Sequence, residues 1–367
     1  LSAVLRKKPA DESETVDRLL PCSRWCTIAG GPLLIVKAST FLCGGLAVGI
    51  CLNHKVADGQ SLAFFLKTWA AIARRVPDAE VGRPTLNVAA AAFPPLGMLP
   101  PPPSMPPAAG RPLVTRRFVL DGSKICELRE QSADQAGGSP QQQAHRLTRV
   151  EAVIALLWRC LIRACCSSSS GVEGALAREF AACHAVGLRA RMQPPMPETA
   201  FGNIVTTAIT PAGLVVPICD PRRPSGGGVD DDEVTDSSTF RRLTEELTSA
   251  AIRGVDGAYI RETVQGPGAP FAFASRLGKY LRRGTRVVWF SSMWGFPFYK
   301  ADFGWGRPES VAWAGFDAVR MGAGVGLMGR REGGGHMEPR VMLKAEEMAR
   351  FRQDPEFLSL LSSDPFP

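Results

Sequence analysis

A histidine and an aspartate four residues apart have the types and spacing that best suit chemistry in this chain. They are His54 and Asp58, in the string HKVADG at residues 54–59. An imidazole titrates near neutral pH, so His54 is suited to accept a proton from a substrate. Each residue also has an ordinary reading, as a structural histidine and as an aspartate that caps a helix. A second rare string, DFGWG at residues 302–306, favours the functional reading.

The segments around His54 predict a strand followed by a helix. Residues 42–53 are apolar, glycine-rich and too short for a long helix, which indicates a buried strand ending at His54. Residues 59–75 carry apolar side chains at helical spacing, which predicts an amphipathic helix: Leu62, Phe65, Leu66, Trp69 and Ile72. His54 is therefore expected where a rigid strand ends, with its side chain free to project into a cleft.

Length and proline content predict two domains. A chain of 367 residues exceeds the size at which a single core stops growing. Residues 93–112 are proline-rich, and proline removes amide donors and fixes the backbone, so a semi-extended linker is expected there. We place a first domain at residues 1–93, a crossover linker at 94–112 and a second domain at 113–367.

The rest of the chain alternates irregularly between strand and helix patterns, which indicates a mixed α/β (α+β) architecture. Strands are predicted at residues 33–36, 113–120, 184–192, 286–290 and 311–316, and helices at 122–131, 149–164 (capped by Thr148), 240–251 and 342–351. Two low-complexity inserts, 165–174 and 219–238, are expected to be surface loops. The glycine-rich run 320–335 is predicted as a hairpin or loop.

Composition argues against several classes of protein. No apolar run is long enough to cross a bilayer, and the first residues lack the order of a secretory signal. The chain does not begin with methionine, so we expect its true amino terminus to be missing. The 43 basic and 35 acidic residues give a net charge of +8, but the basic pairs are scattered, so no nucleic-acid partner is expected. The ten cysteines form no paired set with histidines, which argues against a metal site and for a reduced, cytoplasmic protein.

Two other motifs match by letter only. The spacing of Gly324, Gly326 and Gly329 fits a dinucleotide fingerprint, but no helix pattern follows, so we interpret it as a turn. The first three residues of the DFGWG string match the magnesium-binding string of kinases, but the partner motifs of that class are missing. The remaining histidines, His145, His184 and His336, are expected to be structural or exposed.

Taken together, the two rare strings resemble the signature of the plant BAHD acyltransferases. The likeness extends to the glycine-rich strand before His54, to the segments RARMQPP at 189–195, FGN at 201–203 and FPFY at 296–299, and to the closing helix. The likeness covers nearly the whole chain, and both motifs occur in the order typical of the family. Among the branches of the family, the chain is most similar to the vinorine synthase-like branch.

The resemblance implies two chloramphenicol-acetyltransferase-like domains, each a mixed sheet with flanking helices, with a channel between them. Acyl-CoA and the acceptor would enter this channel from opposite faces. His54 would be the general base that takes the proton of an acceptor hydroxyl or amine, whose oxygen or nitrogen then attacks the thioester without an acyl-enzyme. A tetrahedral oxyanion would form and expel the CoA thiolate.

The resemblance also implies roles for the other motif residues. Asp58 would point away from the channel and pair with Arg189, so that the loop holds His54 in position. Losing one partner of a buried pair costs about 3–5 kcal/mol, so Asp58 can be essential without touching substrate. The second string would lie outside the reaction centre and shape the CoA side, with Trp305 near the channel: Asp302, Phe303, Gly304, Trp305 and Gly306.

The chain departs from the family pattern in two places. Members carry a longer stretch before the histidine motif, so the first domain is expected to be incomplete and to expose an unpaired sheet edge. Gly295 stands where relatives often have an arginine before the FPFY segment.

These inferences predict a cytoplasmic, monomeric, acyl-CoA-dependent O-acyltransferase of plant specialised metabolism. Acetyl-CoA is the expected co-substrate and a small-molecule alcohol or amine the expected acceptor, with no bound cofactor or metal and no membrane or nucleic-acid partner. One rival is an inactive, truncated protein of this fold that acts at most as a small-molecule binding module. Another is a peptide-condensing domain, against which residues 302–306 and the lack of a carrier-protein region argue.

Overall fold

The computed structural model describes residues 12–21, 31–93, 113–134, 147–166, 178–210, 214–216, 237–266, 269–313, 323–331 and 334–363. The predicted linker at 94–112 and most of the two predicted inserts lie outside these ranges. The described residues form a mixed α/β structure with a two-stranded and a seven-stranded sheet.

Nine helices of six or more residues lie in the described part of the chain. They are α1 (Glu12–Leu19), α2 (Gly59–Ala73), α3 (Asn87–Ala92), α4 (Gly122–Asp134), α5 (Arg149–Cys166), α6 (Ser237–Arg253), α7 (Ala269–Arg282), α8 (Ala345–Phe351) and α9 (Pro355–Leu360). Shorter helical turns occur at Asp78–Glu80, Arg189–Arg191, Gly257–Tyr259, Ile260–Val264 and Pro297–Lys300.

The small sheet is an antiparallel hairpin of β1 (Leu34–Thr40) and β2 (Leu46–Leu52). Helix α1 packs closely on it, since a Cβ at Gly49 would overlap the carbonyl oxygen of Leu19. The described residues add no third strand. Several apolar side chains of this hairpin and its turns are exposed: Leu33, Val36, Leu42, Leu46 and Val48.

The large sheet contains parallel and antiparallel neighbours. Its strands are β3 (Leu113–Arg117), β4 (Arg178–Gly187), β5 (Val205–Ile209), β6 (Leu214–Val216), β7 (Arg286–Ser292), β8 (Ala323–Gly329) and β9 (Met337–Lys344). The order is β3-β9-β8-β7-β4-β5, with β6 also paired to β4. The central pairs β4–β7 and β7–β8 are parallel, and the others are antiparallel.

Helix α5 forms the centre of the main core. Almost all of its residues are buried, including Trp158 and the paired Arg159. The predicted cap at Thr148 is confirmed, because its hydroxyl accepts from the amide of Glu151 at 3.1 Å while the Glu151 carboxylate accepts from the amide of Thr148 at 2.7 Å. This reciprocal pair fixes where the helix begins.

The glycine-rich run 320–335 was predicted as a hairpin or loop, and the antiparallel pairing of β8 with β9 agrees with the hairpin. The interpretation of Gly324, Gly326 and Gly329 as a turn was wrong. Residues Ala323–Gly329 form the buried strand β8 between β7 and β9. A Cβ at Gly326 would overlap the ring of Trp313, so the glycine is required by packing against the sheet and does not mark a turn.

Three further predictions differ from the structure, two of them in where an element begins or ends. Met342 belongs to strand β9, where it pairs with Thr115 and Gly324, so the helix predicted from 342 begins at Ala345. The strand predicted at 184–192 begins at Arg178 and ends at Gly187, because the chain leaves the sheet to form the turn Arg189–Arg191. No strand forms at 311–313, and the rest of that predicted strand, 314–316, lies outside the described residues.

Candidate active site

His54 lies in the turn that joins β2 to α2. The turn is closed by a hydrogen bond from the amide of Val56 to the carbonyl oxygen of Asn53, 3.0 Å long, and the Asn53 side chain accepts from the amide of Lys55. The imidazole is exposed, and it lines neither of the two cavities described below. The strand–turn–helix placement predicted for His54 is therefore present, with the ring at an open surface of the described part.

Asp58 lies at the start of α2 and is buried together with Arg189. Arg189 Nη1 lies 2.7 Å from Asp58 Oδ2, and Nη2 lies 3.1 Å from Oδ1. The side chains are 7% and 5% exposed, so this two-point ion pair is largely removed from water. A two-point contact between a planar guanidinium and a planar carboxylate fixes the relative orientation of the two side chains and also pairs their charges. The structure therefore brings together the aspartate and the arginine that the resemblance paired.

Two backbone amides complete the environment of the Asp58 carboxylate. Oδ1 accepts from the amide of Ser61 at 2.8 Å, and Oδ2 accepts from the amide of Ile204 at 2.9 Å. Burial alone would raise the pKa of Asp58, but the hydrogen bonds from Arg189 and these amides, with the guanidinium charge, hold the pKa below its ordinary value of 3.8. Asp58 is thus both the N-cap of α2 and a buried anion.

The ion pair ties α2 to the loop before β5. Arg189 Nη2 donates to Ser61 Oγ at 2.8 Å, and Arg189 Nε donates to the carbonyl oxygen of Ala200 at 3.0 Å. Ser61 Oγ also donates to the carbonyl oxygen of Gly202, which accepts from the amide of Asp58 as well. Sequence analysis missed Ser61; its position three residues after a capping aspartate is the signal that points to it.

The second string forms a compact turn at the other end of α2. Asp302 Oδ1 accepts from the amides of Gly304 at 2.8 Å and Gly306 at 3.1 Å, and both glycines have the positive φ that favours glycine, 105° and 109°. The amide of Gly304, with that of Gly306, lowers the pKa of Asp302 below its ordinary value. The Asp302 carboxylate therefore stabilises the turn formed by residues 302–306.

The aromatic residues of this string pack on α2. The Phe303 ring meets Trp69 edge to face at 4.9 Å, and the exposed Trp305 stacks on Phe303 at 5.4 Å. Trp69 lies ten residues after Gly59 on α2, which corresponds to about 15 Å along the helix. The structure therefore does not bring the two strings into contact; it attaches them to opposite ends of one helix.

Two open cavities lie beside the C-terminal ends of β7 and β4. The first, of about 500 Å³, is lined by residues 293–300, Arg307, residues 328–331 and residues 335–336. It lies next to α2, since a Cβ at Gly59 would approach Phe296 Cε2 to 3.1 Å and Met293 to 3.4 Å. Sequence analysis did not identify this cavity.

The second cavity, of about 410 Å³, contains His184. This histidine is 1% exposed and stacks on Phe290 across β4 and β7, with ring centroids 5.6 Å apart. Neither ring nitrogen has a hydrogen-bond partner in the described structure, and burial lowers the pKa of His184 to about 4. The ring is therefore neutral at physiological pH, and His184 is buried, one of the two expected alternatives.

The other histidines and a potential ligand cluster play ordinary roles. His336 Nδ1 accepts from the amide of Gly122 at 3.3 Å, and His145 lies outside the described residues. Within the described ranges, one group, Cys160, Asp354 and Glu356, offers three potential metal-ligand atoms within 4.8 Å of one another. Its carboxylates already accept from Arg159 and Arg163, so these arginines supply the positive charge that a metal would bring.

Comparison with known proteins gives a consistent result. A family model described as "Transferase family" matches residues 2–214 and 232–358. The chain is 32% identical to stemmadenine O-acetyltransferase of Catharanthus roseus over 90% of its length and 66% of that protein, and 31% identical to vinorine synthase of Rauvolfia serpentina over 96% and 72%. It is 29% identical to acetyl-CoA-benzylalcohol acetyltransferase of Clarkia breweri over 96% and 75%.

The crystal structure of vinorine synthase has the same fold. It superposes with a TM-score of 0.67 at 28% identity, covering 97% of this chain and 74% of that one. The chain thus spans about two thirds to three quarters of the length of the curated relatives named above. Across the described ranges, none of the helices has the length and apolarity needed to traverse a bilayer.

Proposed function

This chain belongs to the Transferase family, the plant BAHD acyltransferases, and from that membership we propose that it is an acyl-CoA-dependent O-acyltransferase. The proposed reaction moves an acetyl group from acetyl-CoA to a hydroxyl of a small plant specialised metabolite. Two of the relatives are named as acetyltransferases, and the name of one includes acetyl-CoA. We also propose that the protein is a cytoplasmic monomer, and that its active site lies between two domains joined by residues 94–112.

In the proposed reaction His54 is the general base. Its imidazole takes the proton of the acceptor hydroxyl while the oxygen attacks the thioester carbonyl carbon and forms a tetrahedral oxyanion. The oxyanion collapses, the carbon–sulfur bond breaks, and the CoA thiolate takes the proton from the imidazolium. The products are the ester and free CoA, so no acyl-enzyme and no redox partner are needed.

The observation that carries this proposal is the buried pair of Asp58 and Arg189. It fixes the start of α2 through two-point contacts of 2.7 and 3.1 Å, and the turn that begins this helix carries His54. Asp58 is therefore proposed as a positioning residue that does not touch substrate. Residues 302–306 are proposed to support the CoA side by packing Phe303 on the far end of α2.

A second candidate function is ligand binding without catalysis. The exposed position of His54, outside both described cavities, favours this reading because a general base must lie within hydrogen-bond reach of the acceptor proton. Under this reading the cavities bind small molecules and no acyl group is transferred.

The test compares purified wild type, His54→Ala and Lys55→Ala with acetyl-CoA and a panel of plant alcohols. We measure release of the free CoA thiol and identify the ester by mass spectrometry. Lys55 is exposed in the same turn and serves as the matched control. General base catalysis typically contributes a factor of about 10² to 10⁴, so His54→Ala should lose activity by that factor while Lys55→Ala stays active.

Two results would contradict the proposal. Ester formation that is equal in wild type and His54→Ala would remove His54 from the mechanism. Binding of panel alcohols to the wild type, with no ester formed from any of them, would favour the binding module.

A further inference from the structure

Ser61 lies in the first turn of α2, and its hydroxyl is buried between this helix and the loop before β5, residues 200–204. The residue is 2% exposed. Its Oγ donates to the carbonyl oxygen of Gly202 at 2.8 Å, and it accepts from the amide of Gly202 at 3.1 Å and from Arg189 Nη2 at 2.8 Å. A hydroxyl offers one donor and two acceptor positions, so all three are in use. Ser61 therefore acts on its protein neighbours and has no position left for a substrate.

The loop that receives this hydroxyl is also held from other sides. The amide of Phe201 donates to the carbonyl oxygen of Thr85 at 3.1 Å. The carbonyl oxygen of Ala200 accepts from Arg189 Nε at 3.0 Å. Because these contacts fix the backbone of the loop without the hydroxyl, a bond from α2 to the loop fixes the position of the helix.

This contact matters for the turn before α2, which carries the proposed base. Within the described ranges, the hydrogen bonds of residues 54–57 go to Asn53, which belongs to the same turn. The next residue, Asp58, donates its amide to the carbonyl oxygen of Gly202 at 3.2 Å, and the Ser61 hydroxyl donates to the same oxygen. The hydrogen bonds that attach this turn to the loop before β5 are therefore made at the start of the helix.

The hydroxyl and the ion pair contribute differently to this attachment. Without the hydroxyl, Asp58 and Arg189 should keep their two-point contact of 2.7 and 3.1 Å, so the charges stay compensated. Both main-chain polar groups of Gly202, in contrast, lose their bonds to the Ser61 side chain. The hydroxyl therefore determines where α2 lies on the loop, while the carboxylate supplies the counterion of the buried arginine.

From these contacts we propose that Ser61 is a positioning residue for the acyl transfer: its hydroxyl holds the start of α2 on the loop before β5 and thereby holds the His54 imidazole in place. Ser61 acts through the helix and does not touch substrate. The inference rests on the proposed function for the reaction, whereas the placement of the imidazole is a property of the free protein.

The first experiment observes the His54 ring without any substrate. The chain has four histidines, so the ring signals of the nitrogen-15-labelled full chain can be assigned to His54 by comparison with His54→Ala. In Ser61→Ala the His54 ring signals should shift or split, because the imidazole is no longer held in one position. The signals of His336, which accepts from the amide of Gly122, should stay where they are. His54 ring signals that are the same in Ser61→Ala and in the wild type would overturn the inference.

The matched control is Ser132→Ala on α4. Ser132 Oγ donates to Glu245 Oε1 at 2.8 Å and accepts from Arg241 Nη2 at 3.2 Å, so this hydroxyl also bonds to a paired carboxylate and arginine. Both substitutions should lower the midpoint of thermal unfolding, but only Ser61→Ala should move the His54 signals. Ser61→Cys keeps the shape with a weak donor and a weak acceptor, so it should fall between wild type and Ser61→Ala. Should Ser61→Ala fail to fold, Ser61→Cys is compared with the wild type in the same way.

The second experiment separates this inference from the proposed function. With acetyl-CoA and an accepted alcohol, kcat and kcat/KM of Ser61→Ala should fall together by about 10- to 100-fold, because a displaced base slows the chemical step. Ser132→Ala should keep the wild-type rates. Equal rates in the two variants, or a raised KM with unchanged kcat in Ser61→Ala, would overturn the positioning role while leaving acyl transfer intact. Displaced His54 signals in Ser61→Ala, with no transfer by the wild type, would overturn the proposed function while leaving the role of Ser61 in holding the ring intact.

Discussion

Replacing Asp58 by asparagine tests the role assigned to the buried ion pair. Each carboxylate oxygen of Asp58 accepts two N–H groups: Oδ1 from Ser61 and Arg189, and Oδ2 from Ile204 and Arg189. An asparagine keeps the shape but offers only one acceptor oxygen, so whichever way it turns its NH₂ group faces two donors. The guanidinium of Arg189 also loses its buried counterion.

The expected loss is large for a one-atom change. Breaking a buried ion pair by removing one partner costs about 3–5 kcal/mol, so Asp58→Asn should lower the free energy of unfolding by that amount. The measurement is urea unfolding at neutral pH, followed by tryptophan fluorescence. The control is Asp78→Asn, since Asp78 pairs with Arg83 at 3.1 Å while both side chains are highly exposed, and such pairs are worth about 0–1 kcal/mol.

Acid titration supplies a second, independent measure of the same pair. Because the folded state holds the pKa of Asp58 below its ordinary value of 3.8, its contribution is complete above that pH and is lost as the pH falls through the lowered value. The stability gap between wild type and Asp58→Asn should therefore be constant at neutral pH and should close below pH 3.8.

Coupling between the partners provides the decisive comparison. Arg189→Met removes the cation, so the double variant with Asp58→Asn should lose less stability than the sum of the two single variants. A loss below about 1 kcal/mol in Asp58→Asn, or simple additivity in the double variant, would refute the reasoning that a buried pair positions the His54 turn.

Two further predictions concern packing around the same helix and sheet. Gly326→Ala should destabilise the protein by about 1–3 kcal/mol, because the new Cβ would overlap the Trp313 ring. The control is Gly187→Ala, where no atom lies within 4 Å of the new Cβ, so its thermal unfolding midpoint should change little. Equal midpoints for the two variants would contradict this prediction. Phe303→Ala should lower the free energy of unfolding by about 1–3 kcal/mol, measured in urea, because it removes the edge-to-face contact with Trp69. Trp305→Ala should cost less, since Trp305 lies at the exposed end of the stack. The reverse order would show that Trp305 makes the larger contribution.

The start of α2 could be predicted from the sequence because local signals agree there. The apolar residues recur at helical spacing, and Asp58 has the chemistry of a cap, so the helix and its boundary at Gly59 follow from the residues alone. The partner Arg189 lies 131 positions away and came only through resemblance. The amide of Ile204 could not be predicted, because a backbone donor leaves no mark in the residue pattern.

The extent of strands β8 and β9 could not be predicted for a different reason. Local reading treats glycine as a breaker, but Gly326 is small because Trp313 occupies the space above it, and that contact is tertiary. In β9, Glu338 and Arg340 are buried although their types suggest a surface. Glu338 is compensated by Arg117 and Arg330, which lie on other strands or at the end of one, so the burial is explained only by the assembled sheet.

The attachment of both rare strings to α2 changes how kinetic defects are to be interpreted. A fifteen-residue helix is stiff over its length. We therefore expect a substitution that removes the contact between Phe303 and Trp69 to change the orientation of the whole helix, including its start beside His54. A drop in kcat caused by a substitution in the DFGWG turn is therefore no proof that this turn touches the reacting atoms. Mutational studies of this chain should therefore distinguish a misplaced helix α2 from a defect in the chemical step.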